Sequence, residues 1–392
     1  MTDVLEAARR LAPEVVADRR EIHRHPELMY QEHHTSALVA KRLTELELEV
    51  ETGVGETGVI GLLRGTRPGK TVLLRADMDA LPIDEQNEAE YCSENHGVMH
   101  ACGHDGHTAV LLGVARLLSD ARNEIAGNVK FMFQPAEEGG AGALKMIEQG
   151  LLDDPVVDAA FALHVDPFNY VGKIALRAGP AMAAADRFTI TVHGKGGHAA
   201  RPHYAVDPVV VAAHIVTALQ SIVSREVDPN LQAVITVGSI TSGTAFNVIP
   251  DTATLSGTVR TYVPELRSLI ERRLGELAAG VAAGMRATAE TRYFPGYPPL
   301  VNHQWGVDLV SDAVTDLLGP DAVVPKEQMM GAEDFSYVLE RVPGAMFRLG
   351  VRGRDWPEPR PIHNSSFDLD EEALPIGVAA MAATALRFLQ DG

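Results

Sequence analysis

Cysteine is nearly absent from this sequence, with only Cys92 and Cys102 in 392 residues. Two are too few for a disulfide framework, so each is read as a small buried residue, a nucleophile or a ligand. Basic residues are also in deficit, 34 Lys plus Arg against 53 Asp plus Glu, and the resulting formal charge of −19 repels phosphate backbones and anionic lipid surfaces. Nucleic acid is therefore not an expected partner. No stretch approaches 18 uninterrupted apolar residues, and the segment Met1 to Glu6 lacks both a basic region and an apolar signal core. These absences predict a cytoplasmic protein without a membrane anchor.

What is present is a globular composition, 46% apolar and 22% charged, in a chain long enough for two domains of roughly 100 to 200 residues each. Residues Val4 to His25 carry apolar side chains at helical spacing and stop at Pro26, as a surface helix does. Short apolar runs at Val72 to Ala76, Val129 to Phe133 and Ala159 to Leu163 read as strands buried on both faces of a sheet. Polar residues follow each run: Asp77 and Asp79, then Gln134 to Glu138, then His164. Ligands of open α/β sheets collect beyond the carboxyl ends of the strands, so three runs ending in such residues point to one shared site.

From about Asp186 the pattern becomes β-α-β-β-α-β, with period-two alternation in Thr254 to Val259, which predicts a small antiparallel sheet of ferredoxin-like topology. The run Met346 to Val351 and a closing helix at Ala373 to Leu389 return to the first pattern. The predicted fold is α/β: a larger domain with a mostly parallel central sheet, residues 1–183 and 295–392, and an inserted lid domain, 184–294. Short hinges fall near 183 and 294.

The densest chemical cluster is His100-Ala101-Cys102-Gly103-His104-Asp105-Gly106-His107 ahead of an apolar helical pattern. Thiolate and imidazole are ligands for borderline divalent cations; a glycine-rich helix start with incidental histidines is the bland alternative. Glu137 and Glu138 can divide the tasks of metal ligand and proton acceptor, or simply form a solvated pair opening the helix Gly142 to Gln149. His164 and His363 are lone histidines that gain meaning only in company. Asp77 and Asp79 are candidate ligands, orienting groups or caps. In the inserted segment, Gly194 to His198 is a flexible turn ending at a histidine suited to a developing oxyanion, and Asn247 and Arg260 suit a substrate carboxylate.

These motifs, with His23-Arg24-His25-Pro26-Glu27, Arg75 to Pro82, Phe133 to Gly139, Gly243 to Pro250, Gly331 to Phe335 and Pro361 to Asn364, run in order along nearly the whole chain. Together they resemble the amidohydrolase branch of the di-metal aminoacylase and carboxypeptidase family, alongside hippurate hydrolases and indole-acetyl-amino-acid hydrolases. The resemblance implies Cys102, His104, Glu138, His164 and His363 as metal ligands and Glu137 as general base. It implies His198, Asn247 and Arg260 as residues of the lid that meet the scissile carbonyl and the substrate carboxylate. Asp77-x-Asp79 stands where peptidase branches carry His-x-Asp, and Asp79 is read as supporting the ligands from behind.

The implied activity is hydrolysis of an N-acyl amino acid or similar small amide by metal-activated water, with dipeptidase or carboxypeptidase activity on the same scaffold as the alternative. Two divalent cations are implied, Mn²⁺ or Zn²⁺, with Co²⁺ or Ni²⁺ as substitutes. Cys102 as a nucleophile activated by His104 or His107, and a non-catalytic relic, are the rival readings. A homo-oligomer, dimer or tetramer, is expected through an edge of the inserted sheet.

Overall fold

The computed structural model describes residues 2–390, and the chain divides into two compact units. The first comprises the chain up to Ala181 with Val301–Glu327 and Asp334 onward; the second comprises Met182–Leu300 and Gln328–Glu333.

The first unit opens with helices α1 (Thr2–Arg24) and α2 (His33–Glu45), then strands β1 (Glu49–Val54), β2 (Gly58–Arg64) and β3 (Arg67–Asp77). Helix α3 (His104–Asp120), β4 (Ala126–Gln134), α4 (Gly142–Glu148), β5 (Ala159–Tyr170) and β6 (Ile174–Leu176) follow. With Val323–Pro325 and Gly344–Arg352 they form one eight-stranded sheet in the order β1, β2, β4, β3, β5, Gly344–Arg352, β6, Val323–Pro325.

Its middle is parallel, as the three doubly buried runs predict: β3 pairs in parallel with β4 and β5, and β5 with Gly344–Arg352. Val72, Leu73 and Leu74 are fully buried there. Away from the middle the sheet is mixed, because β1 and β2 are joined across only Gly55-Glu56-Thr57, a connection that leaves room for antiparallel pairing alone. The closing helix Leu374–Gln390 packs on α1 and α3, so its alanines sit in the core.

Parallel pairing sets the chemistry in place. Asp77 stands opposite Gln134 at the ends of β3 and β4, and His164 opposite Arg348 on the far side of β5. Two strand ends and the middle of β5 therefore present polar residues on neighbouring strands.

The second unit is a four-stranded antiparallel sheet, ordered Ala233–Ser242, Thr252–Thr261, Ala184–His193, Thr288–Tyr297, with helices Pro208–Ser221 and Pro264–Gly284. This is the predicted β-α-β-β-α-β order. Phe188, Ile190 and Val192 face inward at period two, while Leu266, Ile270, Leu274, Ala278 and Ala282, each four residues on from the last, make the buried ridge of the helix Pro264–Gly284 in the same core. Asp207 begins its helix by accepting the backbone N–H of Val209 at 2.9 Å.

Two stretches, Pro208–Glu226 and Glu371–Gln390, are long and apolar enough by composition to cross a membrane. The second is 78% buried within the protein, and the first lays Val211, Ile215 and Leu219 on its own sheet. The second has the packing of a core helix, and the first, 33% buried, has that of an amphipathic helix laid on one face of a sheet.

Candidate metal centre

Cys102 and His104 straddle Gly103, the residue before α3, whose φ of 86° suits glycine. A Cβ there would come within 2.6 Å of the Val165 side chain, so the missing side chain lets the start of α3 close on the middle of β5. That approach brings His164 to Cys102: Nε2 and Sγ are 3.6 Å apart. From the C-terminal region, His363 is tied by its backbone N–H to the Ala101 carbonyl at 2.7 Å. Its Nε2 lies 3.3 Å from Cys102 Sγ and 3.1 Å from Glu138 Oε1.

All five expected ligands are thus gathered in one place. They fall into overlapping trios: Cys102, His104 and His164; Cys102, Glu138 and His363; and His104 with Glu137 and Glu138. Cys102, His104 and Glu138 each belong to two of these trios, so the trios form one continuous group of donors.

The donor chemistry fits such ions. Tetrahedral bonds of about 2.0 to 2.3 Å set donors roughly 3.3 to 3.7 Å apart, the range in which Cys102 meets His164 and His363. His104 donates from Nδ1 to the Asp79 carbonyl at 2.8 Å, so Nε2, buried without a hydrogen-bond partner among the described residues, is the nitrogen free to face a cation. His164 likewise donates from Nδ1 to the Val165 carbonyl at 2.7 Å. Burial and the nearby Arg348 cation hold its pKa well below the ordinary value, so the ring is neutral.

Without a cation the cluster holds protons. Burial pushes the Cys102 thiol up, and hydrogen bonds to Cys102 and Glu138 raise His363 to about 10. Burial disfavours charge on His104, but the Asp77 carboxylate and Cys102 outweigh it and raise its pKa. Divalent charge displaces such protons, because thiolate and neutral imidazole are the binding forms.

Glu137 and Glu138 are not the solvated pair that the bland reading expects. Glu137 is 8% exposed, and helix α4 begins only at Gly142. Their turn is pinned from behind by two buried carboxylates. Asp79 accepts the backbone N–H of Glu137 on Oδ1 and that of Glu138 on Oδ2, both at 3.0 Å, while Glu32 accepts that of Ala136 at 2.9 Å. Ala136 has a φ of 53°, a left-handed conformation that the flanking bonds maintain.

Asp77 is committed elsewhere. Oδ1 takes the His107 Nδ1 proton at 2.6 Å, and Oδ2 accepts from Arg75 at 2.7 Å. Arg75 also binds Gln134, which binds Asp334, which in turn accepts the N–H of Ala143 in the first turn of α4. Of the motif's four Cys and His residues, Cys102 and His104 enter the cluster, while His107 is held between Asp77 and the Val165 N–H. His100 is buried, and that burial pushes its pKa down to about 3.

Sequence reasoning assigned no role to Glu32 or Asp334. Glu32 sits in a polar run, Gln31 to His34, that reads as a solvated helix start, so nothing local marks it. Asp334 lies in Gly331 to Phe335, a matched motif without an assigned task.

The other three expected residues lie in the second unit. His198 and Asn247 are neighbours on a two-stranded ribbon, where Val248 pairs with His198 and the Asn247 carbonyl accepts the Ala199 N–H at 3.1 Å. Both side chains are exposed, and His198 Nδ1 accepts the Ala200 N–H at 3.1 Å. Arg260 is half-buried on the strand Thr252–Thr261 and donates to the Thr258 hydroxyl at 2.7 Å; burial lowers its pKa.

Known proteins resemble this chain in sequence and fold. The model of Peptidase family M20/M25/M40 matches residues 73–387. "Thermostable carboxypeptidase 1" of Saccharolobus solfataricus is 42% identical over 95% of each chain. "N-acetyl-L-cysteine deacetylase" of Bacillus subtilis is 41% identical over 93% of this chain and 85% of its own. The crystal structure of the Bacillus subtilis YXEP protein, described as a dinuclear metal binding peptidase from the M20 family, superposes with a TM-score of 0.85 at 37% identity, covering 97% of this chain and 99% of that one. With the family model spanning most of its length, this chain belongs to the M20/M25/M40 peptidase family.

Proposed function

We propose that this protein is a two-metal amidohydrolase that releases the amino acid from an N-acyl amino acid or a similar small amide. The observation that carries the reading is the convergence of Cys102, His104, Glu138, His164 and His363 around shared donors beside a buried Glu137. Relatives at about equal identity support amide hydrolysis as the reaction class, one named a deacetylase and one a carboxypeptidase.

Cys102, His104, Glu138, His164 and His363 would hold two divalent cations, which would supply Lewis acidity towards an amide carbonyl and lower the pKa of water towards about 7. Glu137 takes the water's proton and returns it to the departing amine. Its carboxylate is aimed by the bonds from Asp79 to the turn that carries it, so the base needs little reorganisation during the reaction. His198 is assigned to the developing oxyanion, and Asn247 and Arg260 to the carboxylate of the amino acid. The Cys102 thiolate favours a soft ion such as Zn²⁺, while the imidazole and carboxylate donors also accept Mn²⁺. The rival role of Cys102 as nucleophile is disfavoured by its burial and raised pKa, which keep the sulfur protonated until a cation arrives.

We further place the protein in the cytoplasm and expect a homo-oligomer joined through an edge of the four-stranded sheet, Ala233–Ser242 or Thr288–Tyr297.

The deciding experiment strips the enzyme with chelator and assays N-acetyl amino acids against free dipeptides. Activity on the acylated substrates should vanish and return with Zn²⁺, Mn²⁺ or Co²⁺. Full turnover by stripped protein would refute metal catalysis, and exclusive cleavage of free dipeptides would establish the peptidase alternative.

A further inference from the structure

A second group of metal-binding side chains lies outside the cluster described above, at the junction of α1 and α2. Glu21 is in the last turn of α1, His25 directly follows that helix, and His34 is in the first turn of α2. One donor atom from each falls within 4.8 Å of the others. The two imidazole rings are 4.6 Å apart, tilted by 38°.

The carboxylate of Glu21 divides its oxygens. Oε2 pairs with Arg24 at 3.2 Å, whereas Oε1 faces both rings, 3.4 Å from His25 Nδ1 and 3.3 Å from His34 Nε2. His25 Nδ1 also bonds the Glu21 carbonyl at 2.9 Å, which leaves its Nε2 as the lone-pair nitrogen, 3.8 Å from Glu94 Oε2.

The backbones that carry these donors are anchored. Glu27 caps α2 by accepting the N–H of His34 at 2.8 Å and of Thr35 at 3.0 Å. The N–H of Glu94 is tied to the Arg24 carbonyl at 2.8 Å. Two imidazoles and a carboxylate on fixed backbone, open to solvent on one side, are the donor set of a borderline transition metal rather than of Ca²⁺ or Mg²⁺, which require mostly oxygen.

We propose that Glu21, His25 and His34, with Glu94 within reach, form a surface site for one divalent transition-metal ion, Zn²⁺ or Cu²⁺ in class, separate from the buried cluster. A cation there clamps the end of α1 to the start of α2.

The test is calorimetric titration of Zn²⁺ into enzyme that already carries its catalytic metals. Wild type is compared with His34→Ala, Glu21→Gln and the control His33→Ala, an exposed neighbour outside the trio. Wild type and His33→Ala should bind one further equivalent. His34→Ala and Glu21→Gln should weaken it by at least about tenfold, the effect of losing one donor among three. Hydrolysis at saturating catalytic metal should be equal in all four.

Copper gives an independent readout: the spectrum of Cu²⁺ at this site should show two coupled imidazole nitrogens in wild type and one in His34→Ala. The absence of a further equivalent overturns the proposal. So does a further equivalent that survives both substitutions unchanged, or one that His33→Ala removes.

Discussion

The backbone N–H of Val165 donates to Nε2 of His107 at 2.9 Å. That bond, with the Nδ1 proton held by Asp77 at 2.6 Å, uses both ring nitrogens of a histidine that stands three residues from His104 and resembles it in every local respect. His107 is therefore a post that aligns the middle of β5, the strand segment carrying His164. Replacing it with Ala leaves Asp77 and the Val165 N–H short of a partner in a buried place. A loss of about 2 to 4 kcal/mol in unfolding free energy is expected. Denaturant titration of the metal-loaded protein measures it, and metal analysis of the folded variant should still find two ions per chain. A variant holding only one would make His107 a ligand.

Glu137→Gln keeps the size of the side chain and removes its basicity. Turnover should fall by roughly 10² to 10⁴, the usual contribution of a positioned proton acceptor, with metal content unchanged. Rate and metal measurements on the same sample separate this from a ligand's loss. Near-normal turnover would return the proton transfer to another group.

Asp79 acts through the turn it holds. An Asn at this position offers one acceptor oxygen for two N–H groups and turns an amide donor towards the other. Metal affinity should drop about 10- to 100-fold, the scale found when outer partners of metal ligands are lost. Competition with a chromophoric chelator reads this directly. An unchanged affinity together with an unchanged rate would leave Asp79 with no part in ordering the two glutamates.

Acid stability should depend on Glu85. Burial opposes its charge, but the hydrogen bond and charge of His23, with the N–H of Ser93 and the amide of Asn87, bring its pKa down to about 2. A depressed carboxylate contributes stability in full above its unfolded pKa of about 4.3, and that contribution is lost as pH falls through about 2. The size is on the order of 1 to 3 kcal/mol. His23 has the opposite sign, since its raised pKa stabilises below the unfolded value near 6.5 and fades at higher pH. Urea midpoints measured from pH 5 to pH 2.5 should fall less steeply for Glu85→Gln than for wild type. Parallel slopes would show that this carboxylate does not govern the acid limb.

Much of the fold was legible because hydrophobic period and run length are local properties. Val72 to Ala76, Val129 to Phe133 and Ala159 to Leu163 announce doubly buried parallel strands, and the alternation in Thr254 to Val259 announces a half-exposed antiparallel one. The hairpin of β1 and β2 escaped because Glu49 to Thr52 are largely exposed, which leaves β1 with almost no apolar signal.

By its residue order alone the sequence determined which elements form and which side chains of thiol, imidazole and carboxylate type stand at their ends. That is chemistry carried within a few positions. Tertiary structure alone decided which of those groups keep a lone pair for a cation. His104 and His107 are equivalent in the motif, yet Asp79 offers the first a carbonyl at Nδ1 and leaves its Nε2 bare, while Val165 occupies the Nε2 of the second. Such a choice depends on hydrogen-bond partners 25 and 58 residues away, which come into range only when the strand ends are packed together and water is gone.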